Sequence, residues 1–262
     1  DVNASITTGG NNVTLNADGS LTLDAAVNAG AGRLTLNSTS GATQTAAFTA
    51  NELLLLGTGT FTLTQPGNDV DEIAADVNGE ITYVDSDALA VDLVGVTSGV
   101  NSAGNPVSLT TGGVLAVNRP ITAAGNTVTL GAAAITDGNG ATVNVTATSL
   151  NAIGDGGINL DTAIDFLTAA SDDSAINIDE TNGLAVNTVT AGTGTVTLNL
   201  AAGALTDNNG GTTNITATGL VTLTAPGGID LDTDIAQLTA LATNNAIDID
   251  EVNGLLLNTV NA

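Results

Sequence analysis

Asp230, Asp232 and Asp234 alternate with Ile229, Leu231, Thr233 and Ile235 in one short stretch. If that stretch is a strand, the three carboxylates share a face at i, i+2 and i+4, about 7 Å apart, and hard oxygen donors so placed suit calcium. They are the candidate metal ligands, and Asp179, Asp248 and Asp250 could join them from neighbouring strands. The glycine-rich nonapeptide of calcium-binding β-rolls is not matched, because Gly156-Gly157-Ile158-Asn159-Leu160-Asp161 lacks its third glycine. A hydrated acidic face that keeps the chain soluble would give the same pattern.

Other chemistry is short of residues. The 262-residue chain has no His, Cys or Lys, so nucleophilic and acid–base sites built on them are excluded. Paired carboxylates remain, but a polysaccharide-cleaving centre would need a basic partner, and only Arg33 and Arg119 are available. The acids recur with the repeat, whereas a catalytic pair is needed once. The expectation is no enzyme, no catalytic residue and no required cofactor, with calcium as the one candidate ion.

A formal charge of -25 leaves too few cations to displace counterions from a phosphate backbone or to hold an anionic membrane surface. Nucleic acid is therefore not expected as a partner. Nor is membrane insertion, since the longest Leu run, Leu53 to Leu56, is far too short to span. The absence of Cys fits an extracellular protein that does without disulfides.

The elements that must position these acids are repeats. INIDETNGLAVNTV from Ile176 to Val189 returns as IDIDEVNGLLLNTV from Ile247 to Val260, so that each position maps onto one about 70 residues later. GINLDT at 157–162 returns as GIDLDT at 228–233, and NVTAT at 144–148 as NITAT at 214–218. A more diverged match links Asn11 onward to Asn105 onward, a longer displacement, and its excess over the shorter one implies a unit of about 23 residues. This reads as a single repeat array over 1–262, with diverged repeats in 1–124 and closely related ones in 125–194 and 195–262, cut from a longer array or fibre.

Within the units the apolar period is two, as in Ile176 and Ile178 against Asn177 and Asp179, which marks half-buried strands. Gly, Asn and Asp clusters such as Asp137-Gly138-Asn139-Gly140 punctuate short runs of alternating residues and supply tight corners. Three short strands per unit, stacked unit on unit, predict an all-β fold, a parallel β-helix with coils of roughly 23 residues. Its winding should be right-handed. About 11 such coils at about 4.8 Å each would form a rod about 50 Å long. Asn118, Asn187 and Asn258, at equivalent repeat positions, could stack as an amide ladder. The N-x-S/T triplets at Asn12, Asn37, Asn144 and Asn214 are what Asn/Thr alternation generates by chance rather than glycan sites. Phe61 and Phe166 occupy core-type positions, which leaves Tyr83 and one Phe for any sugar contact.

The stretch Ala225 to Val260, APGGIDLDTDIAQLTALATNNAIDIDEVNGLLLNTV, resembles the repeats of filamentous-haemagglutinin-like proteins. The likeness is strong from about Asn105 onward and looser before it. It implies a right-handed parallel β-helix at a bacterial cell surface or outside the cell. The expected function is a structural building block of an extracellular or cell-surface fibre, a stiff rod whose partner is itself through end-to-end copies or neighbouring repeats. The alternative is an adhesin stalk or binding module that recognises host or matrix glycans or proteins. No long insertion is evident in the repeats to carry such binding.

Overall fold

The computed structural model describes all residues, 1–262, and contains strands and turns with no helix. The chain is a parallel β-solenoid of about 13 coils of roughly 20 residues. Its contacts divide it into two compact units, 1–132 with 138–140, and 133–137 with 141–262.

In the first unit the period-two pattern sets the register. Leu21, Ala42 and Phe61 stack in successive coils, followed by Ile81, Val107 and Val128. All six are buried, which makes an apolar column running along the coil axis. The Leu53 to Leu56 run shows the alternation within one strand: Leu53 and Leu55 are fully buried in the core and pair with Leu34 and Leu36 of the preceding coil.

The second unit repeats this device with Ile135, Ile158, Ile176, Val196, Val221, Leu238 and Leu257 in one column. The coils are shorter on average than the expected length and uneven. Leu150 stacks on Leu167, a short step along the chain, whereas Val189 stacks on Ile215, a much longer one. The repeat misled the coil count because it is not a whole number of coils. Three coils beyond Ile158 the column reaches Val221, whereas the matching sequence begins at Ile229, in a different column with Leu184, Leu205 and Ile247. Each repeat therefore places its motif on a new face, and subtracting two displacements does not measure a coil.

Asn187 and Asn258 do not stack on each other. Each is the extra residue of a bulge, since Leu167 and Thr168 pair with Val186 and Thr188, and Leu238 and Thr239 with Leu257 and Thr259. Asn118 bonds Asp92 instead, at 2.7 Å.

Candidate functional site

The acidic stretch lies within the strand Ile229–Leu241, and the alternation holds: Ile229, Leu231, Thr233 and Ile235 are buried, while Asp230 is exposed and Asp232 and Asp234 are half-exposed. Parallel register sets Asp230 beside Asp248 and Asp232 beside Asp250 on the next coil, about 4.8 Å away. Asp179 is elsewhere, stacked between Asp161 and Asn199. Desolvation, then the charges of Asp207, Asp250 and Asp230, hold the Asp232 carboxyl above the usual range. Asp234 accepts a 2.6 Å bond from Asn253 Nδ2, and the Asp232 backbone N–H is bound by Asn214 Oδ1. No group of three or more acidic side chains converges closely enough to form a metal cage. The arrangement is a ladder of paired carboxylates that concentrates cations along a face.

A cleft of about 390 Å³ opens beside this ladder, between Thr206, Gly228, Asp230, Asn245 and Asp248. The preceding repeat has a counterpart of about 300 Å³ at Thr136, Gly157, Asn159 and Asn177. Gly157 and Gly228 adopt φ of 114° and 110°, which a side chain would strain. The two clefts differ in their rungs. Asn177 Nδ2 donates to Asn159 Oδ1 at 2.6 Å in one, and Asp230 faces Asp248 in the other. One repeat thus builds an amide rung and the next a charged one on the same backbone.

Behind the acids lie two carboxylate clamps, one buried and one half-exposed. Glu180 is 2 % exposed, on the inward face of its strand, and its carboxylate accepts bonds from Thr162 Oγ1, Ile164 N, Thr181 Oγ1 and Asn182 N. Burial raises its pKa against the pull of those donors. Glu251 takes the same bonds from Thr233 Oγ1, Ile235 N and Asn253 N. Beside them Asn144 and Asn214 are buried, and each Oδ1 accepts the backbone N–H of an Asp on the next coil. Each Nδ2 donates to an Asp earlier in the same coil, Asp137 and Asp207 respectively. The bond from Asn214 is the main reason the Asp207 carboxyl sits below its usual range. Two of the N-x-S/T triplets are thus internal joints closed to a glycan. The sequence signal for the clamps was present: period two puts Thr162, Thr233, Glu180 and Glu251 on the apolar side.

The first unit buries a different polar group. Asn68 and Gln44 exchange reciprocal amide bonds at 2.8 and 2.9 Å. Tyr83 donates to Asp85, whose carboxylate also accepts from Val70 N and Asp87 N. Tyr83 is fully buried and stacks on Phe48 with ring centroids 6.2 Å apart, so neither ring offers a face to a sugar. Phe61 is in the core as expected, but Phe166 is half-buried, because Leu167 takes the inward place.

The repeat pattern gives no sign of an insertion in the first unit, yet there is one. Val91 pairs with Ile73 and Val100 with Ala75, so residues 92–99 are inserted opposite Ala74 alone. They form a small antiparallel hairpin, closed by the Gly99 N–H to Asp92 O bond of 2.9 Å. Val94 anchors it on the outward-facing Leu54 and Ala74, and Val96 at the tip is 97 % exposed. The only two cationic side chains of the protein flank it: Arg33 lies against Gly95 and pairs with Glu52 at 3.8 Å, and Arg119 pairs with Asp92 at 4.0 Å.

No protein-family model, no curated protein and no solved structure matches this chain.

Proposed function

We propose that this chain is a structural building block of a bacterial extracellular or cell-surface fibre, a β-solenoid whose outermost coils are continued by further coils. The supporting observation is the unbroken parallel pairing from coil to coil: the column from Ile135 to Leu257 runs through six successive parallel pairings, and a residue such as Val189 is fully buried beneath Ile215 of the next coil. What buries a coil is the next coil, so the device extends without limit along the coil axis. The charge of -25 resists side-to-side crowding, which favours growth along the coil axis. The likeness of the repeats to filamentous-haemagglutinin-like proteins agrees with this reading. Electron microscopy of the purified chain at physiological salt tests it: filaments one solenoid wide are expected, and isolated compact particles at every concentration would overturn it.

The hairpin 92–99 favours a second reading, an adhesin stalk or binding module for host or matrix glycans or proteins, because Val96 presents an unsupported apolar tip. Binding to a glycan or matrix-protein array that disappears in Val96→Asp would favour it.

A further inference from the structure

The chain has five Asn-Gly pairs, beginning at Asn78, Asn139, Asn182, Asn209 and Asn253. Asparagine is labile before glycine, because the next backbone nitrogen can reach the side-chain carbonyl carbon when no Cβ stands in the way. The reaction needs a carboxamide that can swing, a glycine N–H without an acceptor and a peptide free to turn.

Four of the pairs are held. Asn78 ends the strand Asp69–Asn78, where its carbonyl accepts the Gly59 N–H at 3.0 Å and Gly79 is packed on the Gly59 backbone. Asn209 Nδ2 donates to Asn187 O, and the Gly210 N–H is taken by the Asp207 carboxylate. Asn139 and Gly140 are engaged with neighbours as well. Asn253 Nδ2 donates to Asp234 Oδ1 at 2.6 Å.

Asn182 is the exception. It is exposed in the corner between the strands Ile176–Glu180 and Leu184–Gly192, its carboxamide bonds no other group of the protein, and the Gly183 N–H has no acceptor. Its backbone N–H donates to Glu180 Oε1 at 3.0 Å. The internal repeat explains the difference from Asn253. Ala163 and Asp234 are equivalent, since they pair with the equivalent Thr146 and Thr216. Where the later copy has the carboxylate that holds Asn253, the earlier copy has a methyl group.

We infer that Asn182-Gly183 is a site of spontaneous deamidation, with water as the co-reactant, and that its conversion loosens the Glu180 joint. Gly183 N attacks Asn182 Cγ; the Cγ–Nδ2 bond breaks, and the Gly183 proton leaves with that nitrogen as ammonia. Water then opens the cyclic imide at either carbonyl, giving aspartate or an isoaspartate whose main chain runs through Cβ. Either product places a new carboxylate two residues from the buried Glu180. Isoaspartate also lengthens the backbone between the Asn182 N–H held by Glu180 and the Leu184 N–H held by Ala204 O at 2.9 Å. Like charge and a longer link both oppose the joint.

Peptide mapping by mass spectrometry during incubation at mildly alkaline pH tests this. In the folded chain Asn182 is expected to convert ahead of the other four, and in urea the five rates should converge. Ala163→Asp supplies the missing acceptor and should slow Asn182 about tenfold, while Asp234→Ala should speed Asn253 by a similar factor. Gly183→Ala should keep the fold, since φ there is not positive and an added Cβ meets nothing closer than Ala204 O at 3.4 Å, and should nearly stop the conversion. The converted chain, separated by its extra charge, should melt below the fresh one, and Gly183→Ala should hold its melting temperature through the same incubation. Equal rates at all five sites in the folded chain, an Asn182 rate unmoved by Ala163→Asp, or a converted chain that melts like the fresh one overturns the inference.

Discussion

Thr162 Oγ1 donates to Glu180 Oε2 at 2.7 Å across adjacent coils, and Thr233 makes the same bond to Glu251 at the same 2.7 Å in the next repeat. Since the repeat is not a whole number of coils, the two bonds lie on different faces. What the repeat preserves is a joint between neighbouring coils rather than a position on the surface.

Removing the joint should be costly. Glu180→Ala leaves the Ile164 and Asn182 N–H groups and the Thr162 hydroxyl without their acceptor, a loss of about 3 kcal/mol. Glu180→Gln, which turns one acceptor oxygen into a donor among donors, should lose about 2 kcal/mol. Glu251→Gln should cost less, because Glu251 is half-exposed to water. Urea unfolding of the three variants checks the order.

Stability should rise as pH falls from neutrality towards the ordinary carboxylate values. Burial is the leading cause that raises Glu72, Asp85, Asp161, Glu180 and Asp232 above their ordinary values of 4.5 for Glu and 3.8 for Asp. A raised folded pKa means that the native state holds protons the unfolded chain releases. That contribution is full below the ordinary value and is lost as pH climbs through the folded one. Asp207, held low by Asn214, acts in the opposite sense, and its contribution disappears only at still lower pH. With no His to titrate in this window, the melting temperature should gain about 2 to 4 °C for each kcal/mol recovered. A flat or falling profile as pH is lowered from neutrality to the ordinary carboxylate values would contradict the assignment.

The hairpin predicts a sharp contrast between two valines. Val94 is fully buried and Val96 is 97 % exposed. Val94→Asp should destabilise by about 3 kcal/mol or more, and Val96→Asp by less than about 0.5 kcal/mol. Thermal melts of the pair decide whether the hairpin is anchored as described.

Calcium should act on the ladder without being needed for the fold. Chelation is expected to leave the β-type circular dichroism spectrum and the melting temperature unchanged, because no three acidic groups converge. Millimolar calcium should raise the melting temperature more than sodium chloride of equal ionic strength, by bridging Asp230 to Asp248 and Asp232 to Asp250. Asp230→Asn with Asp232→Asn should remove the difference.

The strands and their stacking were legible because alternation in stretches such as Ile229 to Ile235 is strict, and buried faces fix register. The coil length was not, because equivalent motifs at Ile158 and Ile229 occupy different columns. The inward Thr162 and Glu180 could have been read from the same alternation that placed the isoleucines. The hairpin could not. Asp92-Leu93-Val94-Gly95 has the texture of every other strand and corner, and only the pairing of Val91 and Val100 to Ile73 and Ala75 exposes it. The Tyr83–Asp85 bond was equally hidden, since both residues depend on Val70 and Phe48 from other coils.

The central claim is that each coil is completed by the next. Hydrogen exchange measured at low and high protein concentration tests it directly, with 176–190 as the covered reference for 247–261. Slow exchange of 176–190 at both concentrations, with 247–261 becoming protected only at the higher one, is the predicted result. Fast exchange of 247–261 at every concentration would contradict it.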